Sequence, residues 1–383
     1  MNILFLVYHG FSEHSGISKK IEAQIKGLQD NGNKVYVCTY IVDKEGYRKR
    51  LVNSKTIINY GKGILAKCKK RYSYNSIIQY AKEQHINLVY VRSFHNANPF
   101  TIHLFKELNK SGINSIMEIP TYPYDAEYVG ANWKARFNLY IDKLFRERLA
   151  KEMQAIVTFS NEVQIFGQRC ICISNGIDFS SIPIRQVKYK NSNEIHLIGV
   201  AEVHYWHGYD RIIHGIGLYN QSPHETEVFF HIIGGIGPSE MHNSQHAPGF
   251  YELIQNYNIQ NNIIFHGPKF GEELDELFNN MSFAIGSLGR HRCYIQSIKT
   301  LKNREYAARG IPFIYSEKDD DFETMPYILK APADESPVDI VQIISFYKGL
   351  TTTPQKIRNS ILHLSWQAQM NEIIKQLQDK PYA

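Results

Sequence analysis

The sequence predicts an α/β protein of two Rossmann-like domains facing across a cleft, with a closing C-terminal helix. Three observations carry this reading. The chain has 383 residues, more than one core usually serves at about 150 residues per domain. Short apolar runs of strand length alternate with segments of helical period, the order that builds a parallel sheet covered on both faces. That series runs once, breaks at the turn-rich SNGIDFSSIPIRQ, and starts again.

Taken in order, ILFLVY (3–8) is a buried strand, followed by a loop with Gly10 and Gly16. The helix ISKKIEAQIKGLQDNG comes next, with Ile17, Ile21, Ile25 and Leu28 on one face and Gly32 closing it. Strand KVYVCTY completes a β-loop-α-β opening. Helix SIIQYAKEQH leads into strand NLVYVR, and helix PFTIHLFKELNKSG into NSIMEI. The amphipathic stretch from Trp133 to Met153 precedes strand AIVTF. The second series opens at EIHLIGVA and continues through helix GYDRIIHGIGLYN, strand EVFFHIIGG, helix FYELIQNYNI and strand NIIFHG. Helix EELDELFNNM, strand FAIGSL, helix IKTLKNREYAARG and strand PFIYS follow. The expected domains are 1–177, 178–352, and a closing helix within 353–383, from about Thr353 to Leu377, packing back toward the N-terminal domain.

Composition narrows the class. Hydrophobic residues make up 43% and charged residues 21%, which excludes disordered and fibrous chains. The apolar runs ILFLV and AIVTF fall short of a membrane span, and the opening MNILFLVYHG lacks the basic flank and cleavage site of a secretory signal. A cytoplasmic protein is expected. Cys38, Cys68, Cys170, Cys172 and Cys293 are odd in number and scattered, which fits a reducing compartment. Cys170 and Cys172 alternate on a strand and read as buried strand thiols rather than a redox or metal pair.

Ligands of open parallel sheets gather at the carboxyl ends of the strands, so the site is expected among those loops. Gly16 stands just ahead of a helix, whose first N–H groups favour an anion; a glycine that merely permits a tight turn is the plain alternative. Asp43 follows the second strand, but GxGxxG is absent, which argues against a nicotinamide dinucleotide. Asp319, Asp320 and Asp321 have Asp-x-Asp spacing, yet they follow a strand of the second domain and read as a solvated loop or helix cap. His242 and His246 have metal-compatible spacing in a loop ending at Pro248 and Gly249. The net charge is +6, and ten cations crowd Lys44 to Arg71 against Glu45 alone. Tyr47, Tyr60, Tyr72 and Tyr74 interleave with them, which suits an anionic lipid surface better than nucleic acid; a solvated face is the plain alternative.

Several segments, in this order, resemble the family 4 glycosyltransferases of the GT-B fold. SGISKKIEAQIKGLQDNGNKVYVCTY is similar to that family's glycine loop, first helix and second strand. ISNGID (173–178) resembles the end of its N-terminal domain, and HGYDRII (207–213) the opening of its second domain's first helix. FHIIGGIGP (230–238), NNIIFHG (261–267) and NREYAARGIPFI (303–314) follow in register. The resemblance implies a nucleotide-sugar donor, UDP- or GDP-linked, on the second domain and a glycan or lipid-linked acceptor on the first. It implies transfer with retention, with no permanently bound cofactor and no metal required. The setting it implies is surface polysaccharide assembly, peripheral on the inner face of the membrane through Lys44 to Arg71. A catalytically silent binding or partner subunit on the same fold is the alternative.

On this resemblance the donor side comprises Gly16, His207, Arg211, Gly234, Gly267, Ser297, Lys299, Thr300, Lys302, Arg304 and Glu305. N–H groups and cations there would meet the charge developing on a leaving diphosphate. Glu305 would bridge the ribose hydroxyls, or else simply pair with Arg309 one turn on. Glu118, with Glu305 the expected catalytic carboxylates, follows a strand with Tyr122, Tyr124 and Asp125 on the acceptor side. The chain also departs from the pattern. Ser297 stands where a sugar-contacting Glu is usual, Glu202 and His207 stand where Arg and Lys are usual, and the N-terminal-domain His expected after the strand of Met117 is not evident in MEIPTYPYDAEY.

Overall fold

The computed structural model describes residues 1–12, 16–128, 132–187, 193–243 and 248–379. The chain divides into two compact units, Met1–Ser174 with Ser365–Ala383, and Asn175–Leu364. In the first unit the elements are β1 (Asn2–Leu6), α1 (Gly16–Asp30), β2 (Lys34–Val42), β3 (Arg48–Val52), β4 (Lys55–Gly61), α2 (Gly63–Tyr72), α3 (Asn75–Glu83), β5 (Leu88–Arg92), α4 (Pro99–Lys110), β6 (Asn114–Ile119), α5 (Trp133–Ala150), β7 (Ala155–Thr158), β8 (Gln164–Ile165) and β9 (Gln168–Cys172). Their nine strands form one sheet in the order β4-β3-β2-β1-β5-β6-β7-β9-β8. The strands from β2 to β9 pair in parallel, and antiparallel strands extend both edges.

Side-chain alternation sorts this sheet's two faces. Leu4, Leu6, Val89, Val91 and Met117 pack with Ile77 of α3, Phe105 of α4 and Leu139 of α5. Ile3, Phe5, Tyr90 and Ile116 meet Ile21 and Leu28 of α1 on the opposite face, where Met370 and Ile373 also pack. Asn98 caps α4 by accepting from Phe100 and Thr101 while Thr101 returns the bond, with Pro99 at the first helical position.

The second unit holds β10 (Glu194–Val200), α6 (Tyr209–Asn220), β11 (Glu227–Ile233), α7 (Pro238–Met241), α8 (Phe250–Tyr257), β12 (Ile263–Gly267), α9 (Gly271–Asn279), β13 (Phe283–Ile285), α10 (Leu301–Arg309), β14 (Phe313–Tyr315), β15 (Ile328–Lys330), α11 (Ile340–Gly349) and α12 (Pro354–Ser360). Its six strands are all parallel, in the order β12-β11-β10-β13-β14-β15. The final helix, α13 (Trp366–Asp379), belongs to the first unit and packs on α1.

Five local expectations are corrected. Cys170 and Cys172 are not buried thiols, because β9 lies next to the short edge strand β8 and leaves Cys170 half-buried and Cys172 exposed. The segment from Lys44 to Arg71 forms a β-hairpin and a helix rather than one basic face. Arg50 is 2% exposed inside it, and Lys49 pairs with Asp43 at 2.7 Å. The closing helix is broken between Ser360 and Trp366 by a 3-10 turn at Leu362–Leu364. The helix expected from Ile298 begins at Leu301, because Thr300 takes the extended N-cap conformation (φ −77°, ψ 142°) and its side chain accepts from the Asn303 N–H. Finally, the Asp319 run is not a solvated loop, since Asp319 is fully buried.

Candidate active site

In the second unit the strand order reverses between β10 and β13, so the loops leaving these two strands diverge at their carboxyl ends, the place where a ligand crevice is expected in such a sheet. Backbone bonds hold the walls together. Leu288 N–H donates to His207 O at 2.9 Å, and Ser316 N–H to Ser287 O at 3.0 Å. Gly208 has φ +67°, and a Cβ there would lie 2.7 Å from Gly289 N and Leu288 C, so only glycine lets these loops touch. A single parallel bridge joins Ser297 to Lys318, bringing the chain before α10 beside the chain after β14.

Four ionisable side chains act on one another there. The buried His207 accepts at Nδ1 from the His204 N–H at 3.0 Å, so its neutral ring carries the proton on Nε2. Loss of hydration, then the nearby Lys302 and Arg290 charges, hold its pKa down to about 2. Lys302 donates from Nζ to the Tyr209 hydroxyl at 3.1 Å. Burial, reinforced by Arg290, lowers its pKa to about 7. Glu317 is 2% exposed, and neither carboxylate oxygen has a hydrogen-bond partner. Desolvation raises it to about 7 against the pull of Arg290, Lys302 and Lys330. Arg290 lies 6.0 Å from the Trp206 ring centroid, and its Nε is buried without an acceptor. Among the described residues, then, the crevice holds two cations without an ion-paired acid and an acid without donors. Buried groups left this way are costly unless a ligand completes them.

In the first unit the order reverses between β1 and β5. His95, with φ +48°, follows β5 and stacks on Tyr124 at 3.8 Å between centroids, 7° from parallel. Its Nδ1 lies 2.8 Å from the Tyr128 hydroxyl. Tyr124 donates to Asp142 at 2.5 Å, and Asp125 accepts from Arg146 at 2.8 Å and Lys143 at 2.9 Å. Tyr122 is half-buried against Phe166, 5.7 Å between centroids. Glu118 is fully buried. Its Oε1 accepts from Arg92 at 2.6 Å and its Oε2 from Tyr90 and Gln24 at 2.7 Å each.

No protein-family model and no curated relative matches this sequence. Solved structures match it along its whole length. Sucrose-phosphate synthase from Thermosynechococcus elongatus has a TM-score of 0.61 at 14% identity, over 99% of this chain and 98% of that one. An E. coli trehalose-6-phosphate protein bound with UDP-2-fluoro glucose gives 0.53 at 11%, covering 100% of both. AviGT4, a glycosyltransferase involved in avilamycin A biosynthesis, gives 0.52 at 10%, over 98% and 97%. The chain has the GT-B fold. The sequence-based expectation of two parallel-sheet α/β domains in this fold holds.

Within this GT-B frame the expected donor residues divide. His207 and Lys302 belong to the crevice cluster. Thr300 caps α10, accepting from the Asn303 N–H at 3.3 Å, and Lys299 offers its carbonyl to Asn175 at 2.6 Å. Ser297 is exposed in its bridge to Lys318. Gly234, at φ +127°, leaves no room for a Cβ against Ala201 O; Gly267, at φ +65°, accepts from the Gly234 N–H at 2.9 Å. Gly16 opens α1, and a Cβ there would meet nothing within 4 Å.

Arg211, placed on the donor side, is 2% exposed and held by backbone carbonyls, donating to Ser336 O at 2.7 Å, Pro332 O at 3.1 Å and Leu288 O. Arg304 is fully buried. It forks onto Asp319 at 2.8 and 3.1 Å, reaches Asp321, and donates to Asn175 O and Thr300 O. This ion pair occupies the Asp-x-Asp carboxylates. Glu305 is half-buried and accepts from Arg309 at 3.1 Å, so its structural partner is present. His242 lies 3.6 Å from Glu252, and His246 lies outside the described residues. Among the described residues no group of three His, Cys, Asp or Glu is placed to hold a metal.

Sequence reading missed Arg290, Glu317 and His95. Arg290 and Glu317 follow strands FAIGSL and PFIYS by a few residues, which is the available signal. His95 similarly follows NLVYVR, the strand beside the one searched.

Proposed function

We propose that the protein is a retaining, hexosyl-type glycosyltransferase allied to family 4, taking a nucleotide sugar, UDP- or GDP-linked, in the second unit. The observation that supports this is the crevice between β10 and β13, where Lys302 and Arg290 lack paired acids and Glu317 lacks donors. In this reading Lys302, Arg290 and the His207 Nε2–H meet the donor diphosphate. They replace the cations missing at 202 and 207, arriving from α10 and the loop after β13. As the bond from the sugar's anomeric carbon to the diphosphate breaks, negative charge grows on the departing oxygen, and fixed cations in a dry site stabilise it. The acceptor hydroxyl oxygen forms the new bond to that carbon, and its proton leaves with the diphosphate. No metal is required.

Glu305 takes the ribose hydroxyls. Glu305→Gln is expected to weaken nucleotide binding roughly tenfold, since a charge-assisted pair contributes about 1.5 to 3 kcal/mol. Calorimetry showing unchanged affinity would return Glu305 to its partnership with Arg309.

Glu317 takes hydroxyls of the transferred sugar. The bridge from Ser297 to Lys318 puts it next to the position where the family's sugar-contacting Glu is absent. Glu317→Ala should therefore weaken nucleotide-sugar binding by about tenfold or more while changing free nucleotide binding little. Equal losses for both ligands would contradict this role.

On the acceptor side, His95, Tyr122 and Tyr124 line the loops after β5 and β6, and Glu118 positions its neighbours through Arg92 and Tyr90. A lipid-linked glycan intermediate in surface polysaccharide assembly is the proposed acceptor, with the exposed cations Lys62, Lys67, Lys69 and Arg71 drawing the protein to anionic membrane. Incubation with a panel of nucleotide sugars tests the main reading. Stabilisation by one of them with release of its nucleotide onto an acceptor is expected; binding without any transfer would favour the silent subunit.

A further inference from the structure

Helix α5 carries a line of large apolar side chains on its outside. Trp133 is 73% exposed, Phe137 57%, Tyr140 58% and Leu144 53%. At 100° per residue these four fall within about 60° of arc, so they form one stripe rather than scattered contacts. Leu139, Leu149 and Ala150 face the core instead. Thus the helix is apolar on two sides, and packing accounts for only one. Exposed apolar residues scattered singly need no explanation, whereas an aligned aromatic stripe marks an interaction surface.

The flanks identify the partner's charge. Lys143 and Arg136 border the stripe on one edge, with the exposed acid Glu147 between them and the stripe, and Lys134 and Arg148 border it on the other. Of these, Lys143 pairs with Asp125; Lys134, Arg136 and Arg148 have no ion pair among the described residues. The pattern continues on α2, where Ile64 is 78% and Leu65 77% exposed beside Lys67 and Lys69. The two helices lie on one side of the sheet, because α4 packs against both. Tyr72 of α2 meets Phe100 of α4 at 5.7 Å between centroids, both about half exposed.

We infer that the α5 stripe, flanked by α2, seats this unit in the interfacial layer of an anionic bilayer, with Trp133, Phe137, Tyr140 and Leu144 entering the headgroup and acyl boundary. Aromatic and leucine side chains bordered by Lys and Arg are the chemistry of helices that lie in that layer. A protein partner would satisfy the apolar stripe, but basic residues along both edges complement a continuous sheet of negative headgroups. The inference extends the membrane reading given above from charge attraction by α2 to an inserting element on α5. It requires no turnover.

Full-length protein with vesicles of phosphatidylcholine containing about one third phosphatidylglycerol tests it. The chain has three tryptophans, so Trp133→Phe isolates one signal. Acyl-chain-brominated vesicles at saturating lipid are expected to quench wild-type fluorescence, and the Trp133→Phe variant, fully bound at that lipid concentration, should lose that quenching. Phe137→Glu with Leu144→Glu should raise the lipid concentration for half-binding at least tenfold at physiological salt, with an unchanged Tm as the folding control. Binding unaffected by that double variant but lost on replacing Lys62, Lys67, Lys69 and Arg71 by Gln would leave the charge reading and overturn this one. Wild-type protein that ignores the vesicles would overturn both. Self-association abolished by Phe137→Glu, in place of lipid binding, would make the occupant a second copy and overturn the bilayer.

Discussion

Replacing Asp319 by Asn should lower the unfolding free energy by about 3 to 5 kcal/mol, the usual consequence of removing one partner of a buried ion pair. Arg304 and Asp319 are both fully buried, and Asp319 also accepts from Asn303 at 3.1 Å. The variant leaves the guanidinium with only Asp321 as a charged partner in a site closed to water. Urea unfolding should show a lower midpoint with the same slope, the signature of lost stability rather than a changed denatured state. Asp320→Asn is the internal control. Its carboxylate pairs with Lys318 near the surface at 2.9 Å, where such pairs contribute less than about 1 kcal/mol. Indistinguishable midpoints for the two variants would mean that Arg304 does not depend on Asp319.

Lys302→Met should reduce nucleotide-sugar affinity by about 10- to 100-fold, because a desolvated cation on a phosphate oxygen makes a strong charge-assisted bond. The pH dependence supplies a second readout. Lys302, held down to about 7 by burial, must be protonated to meet the diphosphate. Glu317, raised to about 7, becomes an anion over the same range. The two titrations oppose each other for a nucleotide sugar, since the Glu317 anion is the form that accepts the sugar hydroxyls. In a Glu317→Ala background, where only Lys302 titrates, affinity should be highest below pH 7 and fall above it, by up to about tenfold per unit. A nucleotide sugar's diphosphate has no proton to lose between pH 6 and 8, so the ligand does not contribute to the slope. Lys302→Met should flatten this dependence. A Glu317→Ala affinity that stays level from pH 6 to 9 would exclude Lys302 from the diphosphate site.

The parts of the fold legible in the sequence were those with a strong period. Ile21, Ile25 and Leu28 recur on one face of α1, and ILFL and HLIG are apolar runs of strand length, so the alternation of layers follows from local side-chain spacing. The hairpin β3-β4 was not legible, because RKRLV and KTIINYG carry charges at an edge where one face stays wet. Helix α10 starts three residues later than expected, because the chain at Ser297 runs extended in its bridge to Lys318 and Thr300 takes the N-cap. The candidate site was expected at strand carboxyl ends, and two of the side chains in the cluster there, His207 and Lys302, were among the residues named from the sequence.

What the residues alone decide here is where a helix or strand is possible and which loops lie at the ligand-binding end of each sheet, since both follow from spacing within about ten neighbours. Which charges remain available depends on contacts across long stretches of chain. Arg304 and Lys302 are two residues apart on one helix, yet Arg304 is consumed by Asp319 while Lys302 is left with a tyrosine hydroxyl. Glu317 and Asp319 are as close in sequence, and only Glu317 is buried without a donor. A buried charge takes its character from its neutralising partner, and tertiary packing alone assigns that partner.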